Sequence, residues 1–137
     1  MAALLNLIVI YARDIQRTVD YYQSFFGYTA TGSAAEGLVE LLAPAGGANI
    51  LVLKAAKSVK VGQVTVKLTF SVKDVEAFKM SSAALGLEFG STHQANGYAY
   101  ANVKDPDGNS VSSSSRAYRL VTSNEARDYA GSFESDV

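Results

Sequence analysis

The sequence predicts an α+β fold: two βαβββ modules that form a curved mixed-sheet cup with helices outside. Three observations predict it. A strand pattern at Asn6 to Arg13 is followed by an Asp-started, Gly-ended amphipathic segment, and the same order recurs at Val64 to Gly86. The two copies are offset by about 60 residues, an internal repeat of the kind that defines an architecture. Each copy continues into three further strand-like segments separated by turn residues.

The elements follow in order. Asn6 to Arg13 is rich in apolar and β-branched residues, as a strand requires. Asp14 offers a carboxylate to the free amides of a first helical turn. Ile15, Val19, Tyr22 and Phe26 recur at helical spacing, with Phe25 beside them, and make one buried stripe. Gly27 supplies the left-handed backbone that closes the helix. Tyr28 to Ala34 and Leu38 to Leu42 read as strands. Pro44 to Gly47 breaks the chain, and Asn49 to Lys54 is the module's last strand. In the second copy Val64 to Val72 is the strand, Asp74 the cap, and Gly86 the close. Val75, Phe78, Ser82 and Leu85 are predicted to form the helix face. Strands follow around Leu87 to Thr92, at Tyr98 to Lys104 and at Ser110 to Tyr118. Asp105-Pro106-Asp107-Gly108 is the turn between the last two, because Pro fixes φ and Gly accepts a positive one.

The expected organisation is one domain over 1–118, with module one at 4–56, module two at 62–118, and a polar tail at 119–137 that reads as a short helix or a disordered end. A chain of 137 residues buries roughly 68% of its unfolded surface, so it needs neither disulfide nor metal to fold. Twelve basic residues oppose thirteen acidic ones and no basic block stands out, so no nucleic-acid or membrane partner is expected. There are no cysteines, which excludes thiolate sites and fits a cytoplasmic location. Met1 to Ile10 is apolar but lacks a basic start and runs into the first strand, so it reads as structure and not as a signal peptide.

Two segments carry a resemblance. Tyr11-Ala12-Arg13-Asp14-Ile15-Gln16-Arg17-Thr18-Val19-Asp20-Tyr21-Tyr22, continued by Phe25-Phe26-Gly27-Tyr28, resembles the opening strand and helix of the vicinal-oxygen-chelate superfamily, the glyoxalase/bleomycin-resistance/dioxygenase proteins. Asp105-Pro106-Asp107-Gly108-Asn109 is similar to that family's turn before its last strand. The resemblance implies a cup that holds one divalent metal on His, Glu or Gln side chains. Carried over by register, the ligand positions fall on Leu7, Lys67 and Ser112, with a fourth near Val52. Leu and Val cannot ligate, a Lys ammonium repels a cation, and Ser alone is a poor ligand. No metal and no other cofactor is therefore expected.

The candidate ligand-binding residues are Tyr11, Glu40, Lys67, Tyr98, Tyr100, Asn102, Ser112 and Ser114. Lys67 is either a cation inside the cup, able to hold an acidic ligand or to pair with Glu40, or a solvated strand lysine. Tyr98, Tyr100 and Asn102 alternate on one strand and line the cup if their parity faces inward; otherwise Ala99, Ala101 and Val103 do. Ser112, Ser114 and Arg116 share a parity on the last strand, and Val9 and Tyr11 follow Leu7. His93, the only histidine, lies in a polar stretch and reads as a surface loop. No catalytic residue is assigned. Three functions are open. One is a metal-free module that binds or sequesters a small organic molecule; by resemblance it is a homodimer with its pocket at the subunit junction. The second is a metal-dependent lyase, isomerase or dioxygenase with a displaced site built from Glu40, His93 or Asp105. The third is an inert or interaction-only descendant.

Overall fold

The structure is a computed structural model that describes residues 2–120. Eight strands and two helices follow in the expected order: β1 Leu7–Ala12, α1 Ile15–Phe26, β2 Thr29–Thr31, β3 Leu38–Leu42, β4 Asn49–Lys54, β5 Lys67–Ser71, α2 Val75–Ala84, β6 His93–Gln94, β7 Ala99–Lys104 and β8 Ser110–Ser114. The strands make two four-stranded sheets, β1-β4-β3-β2 and β5-β8-β7-β6. β1 runs parallel to β4 and β5 parallel to β8, and the other neighbours are antiparallel. The duplication is thus complete down to register.

Both helices start as the sequence predicts. The Asp14 carboxylate accepts from the Arg17 amide at 3.2 Å, and that of Asp74 from the Ala77 amide at 3.0 Å. Gly27, at φ 74°, closes α1. α2 departs from expectation: it stops at Ala84, and Leu85 is 65% exposed instead of completing the buried face. Val75 and Ser82 are the buried residues of that helix. The strand expected around Leu87 to Thr92 is only His93–Gln94, and Tyr28 to Ala34 shortens to Thr29–Thr31 because Gly32 takes a positive φ and a 3-10 turn follows at Ala34–Glu36. Residues 115–118 leave the last strand for a 3-10 turn at Arg116–Tyr118. The polar tail expected beyond Arg119 lies, from residue 121 on, outside the described residues.

Among the described strands no pair joins the two sheets; the modules meet through α1 instead of edge to edge. The β7–β8 turn seats on that helix. The Thr18 hydroxyl donates to Asp107 at 2.7 Å, the Arg13 amide donates to the same carboxylate at 3.0 Å, and the Tyr22 hydroxyl donates to Asp105 at 2.8 Å. Asp105 also takes the amides of Asp107 and Asn109. Both carboxylates are buried, and each is satisfied by donors rather than by a cation, as burial of charge demands. Phe26 of α1 stacks on Phe70 of β5 with centroids 4.0 Å apart. One hydrophobic core results, running from Ile10, Val39 and Val52 through Tyr22 and Phe26 to Leu87 and Val111.

Candidate functional site

Each sheet hides one face beneath helices and core and leaves the other open. On sheet one, Ile8, Ile10 and Ala12 turn toward α1, so Leu7, Val9 and Tyr11 lie on the open face, 41%, 44% and 48% exposed. Val9 pairs with Leu51, Leu51 with Glu40, and Glu40 with Thr31, which places Glu40 in the middle of that face between apolar neighbours. Leu38 and Leu42 share its parity and are also exposed. Val52 is fully buried on the opposite side. The register that put a fourth ligand position there is off by one; Leu51 and Leu53 occupy the open face.

On sheet two Ala101 and Val111 are buried against the helix side. Their neighbours Lys67, Thr69, Tyr100, Asn102, Ser110, Ser112 and Ser114 therefore stand on the open face, in the rows Lys67–Ser110–Lys104, Thr69–Ser112–Asn102 and Ser71–Ser114–Tyr100. Tyr98, Tyr100 and Asn102 are on the inward parity of the two that the sequence left open. The Lys67 amine donates to Asn102 Oδ1 at 3.0 Å and lies 5.5 Å from the Tyr100 ring centre. That bond spans β8, which lies between β5 and β7. Ser112 sits in the row beneath it, only 2% exposed, its hydroxyl donating to Thr69 Oγ1 at 2.9 Å. Ser114, also buried, accepts from the Arg116 amide at 3.1 Å. A molecule reaching this face meets Lys67, Asn102 and Tyr100 before either serine.

Aromatic and cationic groups continue the surface. His93 stacks on Tyr100 with centroids 5.1 Å apart, and Tyr98 is 6.3 Å from the same ring. The Arg116 guanidinium lies 5.6 Å over Tyr98, and the Lys104 amine donates to Ser110 at 2.9 Å. His93 is thus in a short strand and exposed, not in a loop. Lys104 reaches this face by the strand alternation that also carries Tyr100 and Asn102, whereas Arg116 reaches it from the 3-10 turn that follows β8, which alternation does not reveal. Lys67, Asn102, Lys104 and Ser110 together line a hollow of about 400 Å³.

The pairing of Lys67 with Glu40, one of the alternatives the sequence leaves open, does not occur. The two stand on separate sheets, and Asn102 takes the amine. Tyr11 and Glu40 on sheet one are likewise not brought beside Tyr98, Tyr100, Asn102, Ser112 and Ser114 on sheet two by any hydrogen bond between strands.

A divalent metal, implied by the resemblance, does not fit the donor set. Leu7 and Lys67 open β1 and β5 at equivalent positions, and offer a hydrocarbon and an ammonium. Among the described residues no group of three or more His, Asp or Glu side chains could hold such an ion. Glu40, His93 and Asp105, the set considered for a displaced centre, are scattered: Glu40 on sheet one, His93 on Tyr100, Asp105 buried against Tyr22. Burial, with the Asp105 charge second, pushes the hydroxyl pKa values of Tyr21 and Tyr22 well above the ordinary range, so both rings stay neutral and structural.

Comparison with known proteins agrees with this architecture. No curated protein matches the sequence well enough to be counted a relative. Among solved structures, a lactoylglutathione lyase from Agrobacterium tumefaciens superposes with a TM-score of 0.65 at 20% identity, covering 83% of this chain and 94% of the other. The protein UcmS2 gives 0.70 at 15% identity over 84% and 99%. TnmS3, an antibiotic-binding protein from Streptomyces, gives 0.67 at 15% identity over 82% and 94%. At these identities the likeness is one of fold. The model of the Glyoxalase/Bleomycin resistance protein/Dioxygenase superfamily matches residues 4–112, nearly the whole of both modules, and the chain belongs to that superfamily.

Proposed function

We propose that this protein binds a small organic molecule on the open face of sheet two, without metal chemistry, and that Lys67 anchors an acidic group of that ligand. The observation that carries the reading is the Lys67–Asn102 pair: an exposed ammonium over an aromatic ring, held by a neutral amide where a metal-using relative would need a ligand. Lys104 and Arg116 add positive charge to the same face, and Tyr98 and Tyr100 add flat apolar area. A carboxylate can replace Asn102 as the partner of Lys67 and adds a negative charge opposite the ammonium, where the amide offers only a neutral oxygen. The fold likeness to an antibiotic-binding protein supports small-molecule binding as a use of this architecture. Cytoplasmic residence remains part of the reading; among the described residues no helix is long and apolar enough to cross a membrane.

We further propose that the protein is a homodimer. Leu7, Val9, Tyr11, Leu38 and Leu42 form an exposed apolar face on sheet one, and contiguous patches of that kind mark contact surfaces. A second copy would cover this face and supply Tyr11 and Glu40 as another wall of the site.

The test is a thermal-shift screen of aromatic acids and their neutral amides or alcohols against wild type and Lys67→Met. A ligand at a hundredfold excess over its dissociation constant stabilises the fold by about 2.7 kcal/mol. Acidic ligands should lose affinity in Lys67→Met and neutral ones should keep it. Equal affinity of an acid for both proteins rules Lys67 out as its anchor.

A further inference from the structure

A cavity of about 570 Å³ lies between the modules, along the β5 edge of sheet two. That volume is within the range of small-molecule sites, about 300–1,000 Å³. Its walls are rings from both modules. Phe26 and Phe70 stack at 4.0 Å, Tyr28 meets Phe70 edge-on at 6.1 Å, and Phe78 is 5.9 Å from Phe26. Such walls favour a flat ring, which can stack on one aromatic face and meet another edge-on.

The polar part of the lining has one sign. Among the described residues that line the cavity Lys67 alone is charged, and no carboxylate faces it. Lys67 also lines the hollow beside Asn102, so it stands on the boundary between the two spaces. Its four-carbon stem lets the ammonium turn from one to the other. The backbone of β5 adds donors. Among the described residues β5 pairs with β8 only, and the Val72 amide donates to the Ser114 carbonyl. By the alternation of a parallel ladder the Thr69 and Ser71 amides then point to the free edge, which borders the cavity.

We propose that this inter-module cavity is a second binding site, for a planar aromatic carboxylic acid. The ring packs among Phe26, Phe70 and Tyr28. The carboxylate lies at the β5 edge, where it accepts from the Lys67 ammonium and the free amides. The site goes beyond the open-face reading above and shares only Lys67 with it.

The experiment titrates wild type, Leu68→Trp, Tyr118→Ala and Lys67→Met with 1-naphthoate and with the uncharged 1-naphthalenemethanol, by calorimetry, and locates 1-naphthoate by NMR contacts. Leu68 and Tyr118 line the cavity and not the hollow beside Asn102. Wild type should bind one 1-naphthoate per chain saturably at this site, with ring contacts to Phe70 and Phe78. Leu68→Trp fills the space and should weaken binding at least about tenfold, and Tyr118→Ala should weaken it by less. Wild type should hold 1-naphthalenemethanol about tenfold more weakly than the acid, and Lys67→Met should level the two, as loss of one charged hydrogen bond requires. Should circular dichroism show Leu68→Trp unfolded, Tyr118→Ala and the NMR contacts decide. No saturable binding of 1-naphthoate overturns the proposal, as does binding that Leu68→Trp and Tyr118→Ala leave unchanged with contacts only to Tyr100. That last outcome would leave the open-face reading standing. Contacts to Phe70 and Phe78 with Tyr100 and Asn102 undisturbed would uphold the cavity even if the open face binds nothing.

Discussion

Replacing Gly62 with Ala tests how the linker between the modules is held. Arg13 donates to the carbonyls of Ala56, at 2.7 Å, and Val59, and so pins the first part of the linker. Gly62 then passes the β7–β8 turn so closely that a Cβ would lie 2.4 Å from the Asp107 carbonyl oxygen and 3.2 Å from Gly108 Cα. Its φ is +75°, which costs any other residue about 1–2 kcal/mol. The clash adds to that. Relief requires the linker or the turn to move, and the turn carries Asp107, which holds the Arg13 amide and the Thr18 hydroxyl. Weakening one hydrogen bond to a buried carboxylate costs about 1.5–3 kcal/mol. The expected total is about 2.5–5 kcal/mol. Gly37→Ala is the control, because Gly37 has φ +84° and nothing within 4 Å of its notional Cβ; it should cost only the backbone term. Urea unfolding at pH 7 and 25 °C measures both. If the two substitutions cost the same within about 0.5 kcal/mol, the close approach of linker and turn plays no part in stability.

Three further outcomes follow from the same contacts. Tyr22→Phe removes the hydroxyl that donates to Asp105 at 2.8 Å and should cost about 1.5–2 kcal/mol in urea unfolding, toward the low end because the Asn109 side chain still serves the same oxygen; no change would mean that Asp105 is satisfied without it. Tyr21, Tyr22 and Tyr28 all have hydroxyl pKa values raised above 10, chiefly by burial. The unfolded chain therefore loses these protons first, so stability is full below about pH 10 and falls as pH rises beyond it, by up to about 1.4 kcal/mol per pH unit for each group. Tyr22→Phe should flatten that fall, and an alkaline unfolding profile of unchanged slope would contradict the assignment. Val9→Glu puts a charge in the exposed apolar face of sheet one and should shift light scattering from dimer to monomer mass; a wild type already at monomer mass would remove the dimer from the proposed site.

Local chemistry made much of this protein readable from its sequence. Asp14 and Asp74 cap helices, and Gly27 ends one, because capping and left-handed backbone involve only neighbouring residues. Strands Leu38–Leu42 and Asn49–Lys54 carry their bounds in their composition. Parity along a strand is equally local, and it puts Tyr98, Tyr100 and Asn102 on one face of their strand; that this face is the open one, shared with Lys67, was decided only by the sheet pairing. What tertiary structure alone decided involves residues distant in sequence. Asp105 and Asp107 look like ordinary turn residues, yet 83 and 89 residues separate them from Tyr22 and Thr18, whose hydroxyls they accept. No periodicity encodes such a contact. The partner of Lys67 was equally hidden. Glu40 had the better charge, but sheet pairing set it on the other module and brought Asn102 within reach. The inter-module cavity has the same origin, since the residues that wall it, Phe26, Phe70 and Phe78, stand on α1, β5 and α2 and enclose a space only once α1 has docked between the two sheets. Side-chain type and alternation determine which face a residue takes; which two faces meet is a property of the packed chain, because it depends on the sum of contacts over both modules.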